Sequence, residues 1–154
     1  MPGLQRLTIG DIGCWVIKSR TAPAAIATDW LPGSSRSLSR CLRRSYRVEV
    51  MRPGHRCLLW LSGRHAPGVR AIGTLTSEVR LPEAREATLE VEIDVDLFLL
   101  TEPVARASLL ADFGVAGAEV LRMPAGSNPS YLSPKQLSAL YDLLSPDDMT
   151  AAGW

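Results

Sequence analysis

Between Thr88 and Leu99 the chain alternates with a strict period of two. Leu89, Val91, Ile93, Val95, Leu97 and Leu99 are apolar, while Thr88, Glu90, Glu92, Asp94 and Asp96 stand between them. Successive side chains of a strand point to opposite faces, so this run has one face that a core must cover and one that is wet. A helix would scatter the same residues around its circumference. The fold must therefore contain a sheet with one long strand. Its four acidic residues extend in a line and do not converge on a point, so a solvated face is expected there and no metal site.

Other segments supply partners for that strand. The turn Arg52-Pro53-Gly54 launches Cys57-Leu58-Leu59-Trp60-Leu61, and a Gly/Pro loop from Ser62 to Gly68 leads into Val69-Arg70-Ala71-Ile72-Gly73-Thr74-Leu75, which together read as a hairpin. Cys14-Trp15-Val16-Ile17 reads as a short first strand ending at Lys18-Ser19. Residues 20 to 35 carry Pro23, Pro32 and Gly33 and read as loop, with at most a helical turn from Ala24 to Thr28. From Ser35 to Val50 two readings stand. Arg36, Arg40, Arg43, Arg44 and Arg47 recur at helical spacing opposite Leu38, Cys41 and Leu42, whereas Tyr46 to Val50 alternates like a strand.

Thr101 is placed to cap a helix over about Pro103 to Ala111, and Val120-Leu121-Arg122 reads as a short strand. Ser133-Pro134-Lys135-Gln136 combines an N-cap Ser, Pro at the first helical position and Gln at the capping-box position. It predicts a helix from Pro134 to about Leu144, docked through Leu137, Leu140, Tyr141 and Leu144. Ser145 to Trp154 is expected to be a loosely held tail. The succession of strands and helices gives an α+β fold. At 154 residues it should be one domain, with a core over about 13–144.

No stretch reaches the roughly 18 to 20 apolar residues of a membrane span, and Met1 to Gly10 lacks the pattern of a signal peptide. A cytoplasmic location with no membrane partner is the expectation. Cys14, Cys41 and Cys57 are isolated, without CxxC or zinc spacing, and read as buried free thiols. The net charge of +1 hides a segregation. Residues 1 to 70 carry twelve basic and three acidic residues, a net +9, and the rest carry five and thirteen, a net −8. A basic half of this kind suits a nucleic-acid-facing side, although Arg outnumbers Lys fifteen to two, a bias that a GC-rich genome also produces.

Two stretches carry a family resemblance. Trp15-Val16-Ile17-Lys18-Ser19 resembles the opening strand of YTH domains, which ends in Lys-Ser at the base pocket. Leu58-Leu59-Trp60-Leu61-Ser62-Gly63, followed by Pro67-Gly68-Val69-Arg70-Ala71-Ile72-Gly73, resembles the hairpin shared by EVE and YTH domains. These families are PUA-like, and the resemblance implies a small β-barrel or strongly curved mixed sheet with flanking helices. The resemblance implies a bacterial-type, non-enzymatic module without cofactor or metal, which recognises an unstacked and often modified base, in single-stranded or flipped-out nucleic acid, in an aromatic-lined pocket. Stacking in such a pocket contributes about 1 to 3 kcal/mol per base.

On that resemblance the base pocket falls to Trp15, Lys18, Ser19, Trp30, Trp60, Ser62 and Asn128, and phosphate contact to Arg36, Arg40, Arg43 and Arg47. Trp30 lies near the position of the first cage tryptophan and is then expected to be partly exposed; an alternative alignment puts Arg40 there. Residues 77–88, where a second cage tryptophan would fall, contain no aromatic. Trp60, between apolar neighbours, also reads as core. His55 and His65 flank its strand with no nucleophile and acid at catalytic spacing. Two other functions compete: an ASCH-like amidohydrolase on acylated cytidine, using Lys18, Thr21 and Glu78, and a scaffold domain with no ligand pocket.

Overall fold

A computed structural model describes residues 6–81 and 89–154. Six strands, β1 (Cys14–Ser19), β2 (Ser35–Arg43), β3 (Arg56–Leu61), β4 (Gly68–Leu75), β5 (Glu90–Ala105) and β6 (Ser130–Leu132), form one mixed sheet in the order β2-β5-β4-β3-β1-β6. The β1–β3 pair is parallel and the other four pairs are antiparallel. Among the described residues five α-helices accompany the sheet: α1 (Pro23–Ile26), α2 (Arg106–Leu110), α3 (Glu119–Arg122), α4 (Pro134–Leu143) and α5 (Pro146–Ala152).

Both faces of the sheet are buried, so the central strands lack the simple alternation of a one-sided sheet. Val16, Leu58, Trp60, Ile72 and Leu100 face one apolar cluster, completed by Leu109 of α2, Val120 of α3 and Leu140 of α4. Trp15, Ile17, Leu59, Ile93 and Leu97 face a second, completed by Trp30, Leu42 and Met51. Gly68 and Gly73 have a packing reason within the hairpin. A Cβ on Gly73 would collide with the Asp96 carbonyl, and one on Gly68, whose φ is +148°, with the Val104 carbonyl. These two glycines let β4 approach β5 closely.

The sheet does not close into a barrel, because β2 and β6 remain edges. They converge all the same, since the Arg43 N–H donates to the Asn128 carbonyl oxygen at 2.9 Å across the seam. The structure corrects five local expectations, one of them the burial of Cys41, which is exposed on the outer face of β2. Ser35–Arg43 is a strand and Tyr46–Glu49 a 3-10 turn, the reverse of the two readings. Ser35, Ser37, Ser39 and Cys41 are small outward residues on a period of two, and all nine residues pair with β5, whose edge would otherwise be open. Thr101 caps no helix: β5 runs on to Ala105, with Pro103 in the interval where its register with β4 shifts and no ladder N–H is required.

Residues 119–122 form α3 and not a strand, so that Val120 and Leu121 both reach the core. Ser145–Trp154 is an ordered element. Ser145 accepts from the Asp148 N–H at 3.4 Å, Pro146 opens α5, and Gly153 closes it in the left-handed region. Asp148 is 2% exposed and accepts from the Thr101 hydroxyl at 2.7 Å and from the N–H groups of Thr101 and Glu102. The α4 prediction holds, including the reciprocal Ser133–Gln136 capping box.

Candidate functional site

The parallel strands β1 and β3 end side by side, and a cleft of about 480 Å³ opens beyond their C-terminal ends. Lys18, Ser19, Arg20, Ser62 and Gly63 line it from the strand ends, and Pro124, Ala125, Gly126 and Asn128 form the opposite wall. The β1–β6 ladder stops at Val16↔Ser130. Two positions further on, the Asn128 side chain takes over the role of backbone. Its Oδ1 accepts from the Lys18 N–H at 3.0 Å and its Nδ2 donates to the Lys18 carbonyl at 3.4 Å. The peptide bond that follows, Asn128–Pro129, is cis.

Lys18 pins the loop from the other side, its Nζ donating to the Pro124 carbonyl at 3.2 Å. Burial lowers the Lys18 pKa, opposed by the nearby Glu119 carboxylate. Ser19 is 5% exposed; its hydroxyl donates to the Thr21 carbonyl at 2.8 Å and accepts from the Thr21 N–H at 3.0 Å. The Ser62 N–H donates to the Ser19 carbonyl, tying the two strand ends together. Among the described residues no carboxylate lines this cleft, so Lys18 and Arg20 give it a positive rim.

Of the residues assigned to a base pocket, Lys18, Ser19, Ser62 and Asn128 meet at this cleft. The tryptophans do not. Trp15 is fully buried and Trp30 and Trp60 are each 3% exposed, with Trp60 in the cluster opposite to that of Trp15 and Trp30. Strand parity explains the split, because neighbours on one strand face opposite sides. The expectation of a partly exposed Trp30 is corrected: it fills the core, and its Nε1 donates to the Ser34 carbonyl at 3.1 Å. Trp15 donates to His55 Nδ1 at 3.2 Å, and that nitrogen also accepts from the Arg52 N–H. Burial keeps the His55 pKa down, in accord with a neutral, accepting ring.

The arginines divide similarly. Arg47 is held inside the molecule, its guanidinium forming a bidentate pair with Glu119 at 2.7 Å on both arms. It also donates to the Pro129 carbonyl at 3.1 Å and lies 5.5 Å above the Tyr131 ring. Glu119 accepts in addition from the Ser130 hydroxyl at 2.8 Å. This network anchors the segment that carries Asn128, so Arg47 supports the cleft wall. Arg36 is paired with Asp29. Arg43 is exposed beside the seam, and Arg40 is half-buried on the inner face of β2, where Nη2 donates to Ser19 Oγ at 3.4 Å.

Glu78 lines a separate cleft with Arg44, Arg52 and Arg80, away from Lys18 and Thr21, so the amidohydrolase trio does not assemble. Among the described residues no three His, Cys, Asp or Glu side chains are grouped to hold a metal, and no helix is long and apolar enough to cross a membrane. Sequence reasoning missed Arg20, Pro124–Gly126 and Glu119. Adjacency to Lys18-Ser19 could have signalled Arg20. Nothing local marks Glu119, which meets Arg47 across 72 positions.

No family model matches the chain, and no curated protein matches it. Solved structures do. A protein from Pseudomonas syringae superposes with a TM-score of 0.62 at 13% identity, over 84% of this chain and 98% of its own. The DUF55 domain of human thymocyte nuclear protein 1 gives 0.52 at 15% identity, over 84% and 96%. Human THYN1, crystallised in complex with 5-methylcytosine-containing DNA, gives 0.51 at 13% identity, over 86% and 99%. At such identities the likeness is one of fold: the chain has the mixed-sheet α+β architecture of the DUF55 domain, in line at that level with the EVE-type resemblance of its sequence.

Proposed function

We propose that the protein is a nucleic-acid-binding module, not an enzyme, whose strand-end cleft takes an unstacked base, modified or unmodified, from a single strand or flipped out of a duplex. The observation that carries this reading is the cleft itself. It is open, of a volume suited to a small organic group, and rimmed by Lys18 and Arg20 without a carboxylate. A scaffold domain would have no use for such a cleft, and a strand end filled by core side chains would have favoured that role. The likeness in fold to a protein crystallised with methylated DNA supports the same reading.

In this assignment Ser19, Ser62 and Asn128 present polar groups to the base edge, while Lys18, Arg20 and the exposed Arg43 meet phosphates. Among the described residues no aromatic side chain lines the cleft, so the base is held by polar contacts to its edge in place of aromatic stacking. Trp15, Trp30 and Trp60 shape the walls from within the core. Arg36 and Arg47, already paired with acids, contribute little to phosphate binding.

Fluorescence anisotropy with labelled single-stranded and duplex oligonucleotides, at roughly 50 and 200 mM salt, tests the reading. Single strands should bind more tightly, with affinity falling as salt rises. Lys18→Ala and Arg20→Ala should each weaken binding by about tenfold, the worth of one charged contact. A well-folded protein that binds no oligonucleotide at the lower salt overturns it.

A further inference from the structure

Arg40 differs from the arginines around it. On β2 the residues Arg36, Leu38, Arg40 and Leu42 turn inward, while the serines and Cys41 between them turn out. Arg36 has Asp29 and Arg47 has Glu119, but Arg40 has no carboxylate partner among the described residues. Among the described residues its buried Nε has no hydrogen-bond partner, and its guanidinium is held by the long 3.4 Å contact from Nη2 to Ser19 Oγ alone. An enclosed cation with unspent donors destabilises a fold, and an apolar side chain between Leu38 and Leu42 would pack without that penalty. A use for those donors outside the resting structure accounts for its presence.

Ser19 supplies the location. It lines the cleft, and Arg40 stands directly behind it. Because Ser19 is independently held by both of its bonds to Thr21, Arg40 can leave it without unmaking the wall. The exchange replaces one long contact by two short ones and satisfies the idle Nε. Lys18 and Arg20 already occupy the rim where phosphate passes, so the inner guanidinium is left for the inserted base.

We infer that Arg40 is the specificity-determining residue of this cleft, its guanidinium fork donating to a base edge that offers two adjacent acceptors. This rests on the nucleic-acid-binding reading above. Guanine offers O6 and N7, and cytosine offers O2 and N3. Adenine pairs N7 with the N6 donor, and thymine sets the N3–H donor beside its carbonyl oxygens, so neither takes both arms of the fork.

The experiment uses oligothymidylates carrying a single central guanine, 7-deazaguanine, cytosine or adenine. The guanine or the cytosine probe should bind at least tenfold more tightly than the adenine and all-thymine probes. If guanine is the ligand, loss of N7 in the 7-deaza probe removes the preference. In Arg40→Met the preference should vanish, while binding to oligothymidylate persists and the melting temperature holds or rises. Arg40→Lys, which keeps the charge without the fork, should also lose it and serves if the Met variant does not fold. Wild-type protein that binds all probes equally overturns this assignment and leaves the general binding function standing, as does an Arg40→Met variant that keeps the preference. Wild-type protein that binds none of the probes overturns both.

Discussion

Trp30 reaches from the loop before β2 into the second apolar cluster, where 3% of its surface stays exposed and its indole N–H is satisfied by the Ser34 carbonyl. A large side chain enclosed in this way stabilises by burial and by filling volume, and its truncation leaves a cavity. Trp30→Ala should therefore cost about 3 to 5 kcal/mol of folding free energy, read from urea unfolding midpoints. A loss below about 1 kcal/mol, the range of surface sites, would contradict the packing described. Trp15 belongs to the same cluster, and its link to His55 ties β1 to the turn before β3. These aromatics act on the cleft through the position of the strand ends. In the proposed function the groups that meet a ligand are polar residues further along the same strands, Lys18 and Ser19 three and four places after Trp15 and Ser62 two places after Trp60.

At the scale of elements, α3 and the segment before β6 are fixed by the pair Arg47–Glu119, whose side chains are each 13% exposed. Burial alone would raise the Glu119 pKa. Hydrogen bonds from Arg47 and Ser130, with the charges of Arg47 and Lys18, outweigh it and hold the carboxyl below its ordinary value. A carboxyl whose pKa is depressed by folding contributes stability that is fully present above the unfolded pKa and is lost as pH falls through the folded one. Glu119→Gln should cost about 3 to 5 kcal/mol at neutral pH, because Arg47 is left enclosed without its counter-charge. The difference from wild type should narrow as unfolding is repeated below about pH 4. A pH-independent difference would remove the ion pair from the account. The same elements show what a sequence discloses. β5, the β3–β4 hairpin and α4 are written in local periodicity and capping, and they were legible. Ser35–Arg43 was not, because five arginines at helical spacing obscured a period of two that only pairing with β5 makes decisive. Lys18, Ser19, Ser62 and Asn128 were legible as a set, whereas the burial of the tryptophans and the 72-residue reach from Arg47 to Glu119 depend on the completed fold.

Over the whole molecule, the sequence divides into a basic and an acidic half, but the sheet interleaves them. β5, with its acidic residues, lies between β2 and β4, both drawn from the basic half or its boundary. Ser39 of β2 donates to Asp94 of β5 at 2.6 Å, and Arg47 of the basic half pairs with Glu119 of the acidic one. The net +9 of the first 70 residues therefore does not act on one partner as a single field. The cations proposed to meet phosphate are Lys18 and Arg20, on a rim where no carboxylate stands among the described residues, and the exposed Arg43 beside the seam. Single-stranded nucleic acid releases counterions in proportion to the phosphates neutralised, giving a slope of about −0.7 per contact in a plot of log affinity against log salt. Three contacts predict a slope of about −2, and removal of Arg20 should reduce it by about 0.7. Titrations at four or more salt concentrations give this number directly. A slope steeper than about −5 would require some seven phosphate contacts, and with them a broad basic face in place of the small positive rim at the ends of β1 and β3.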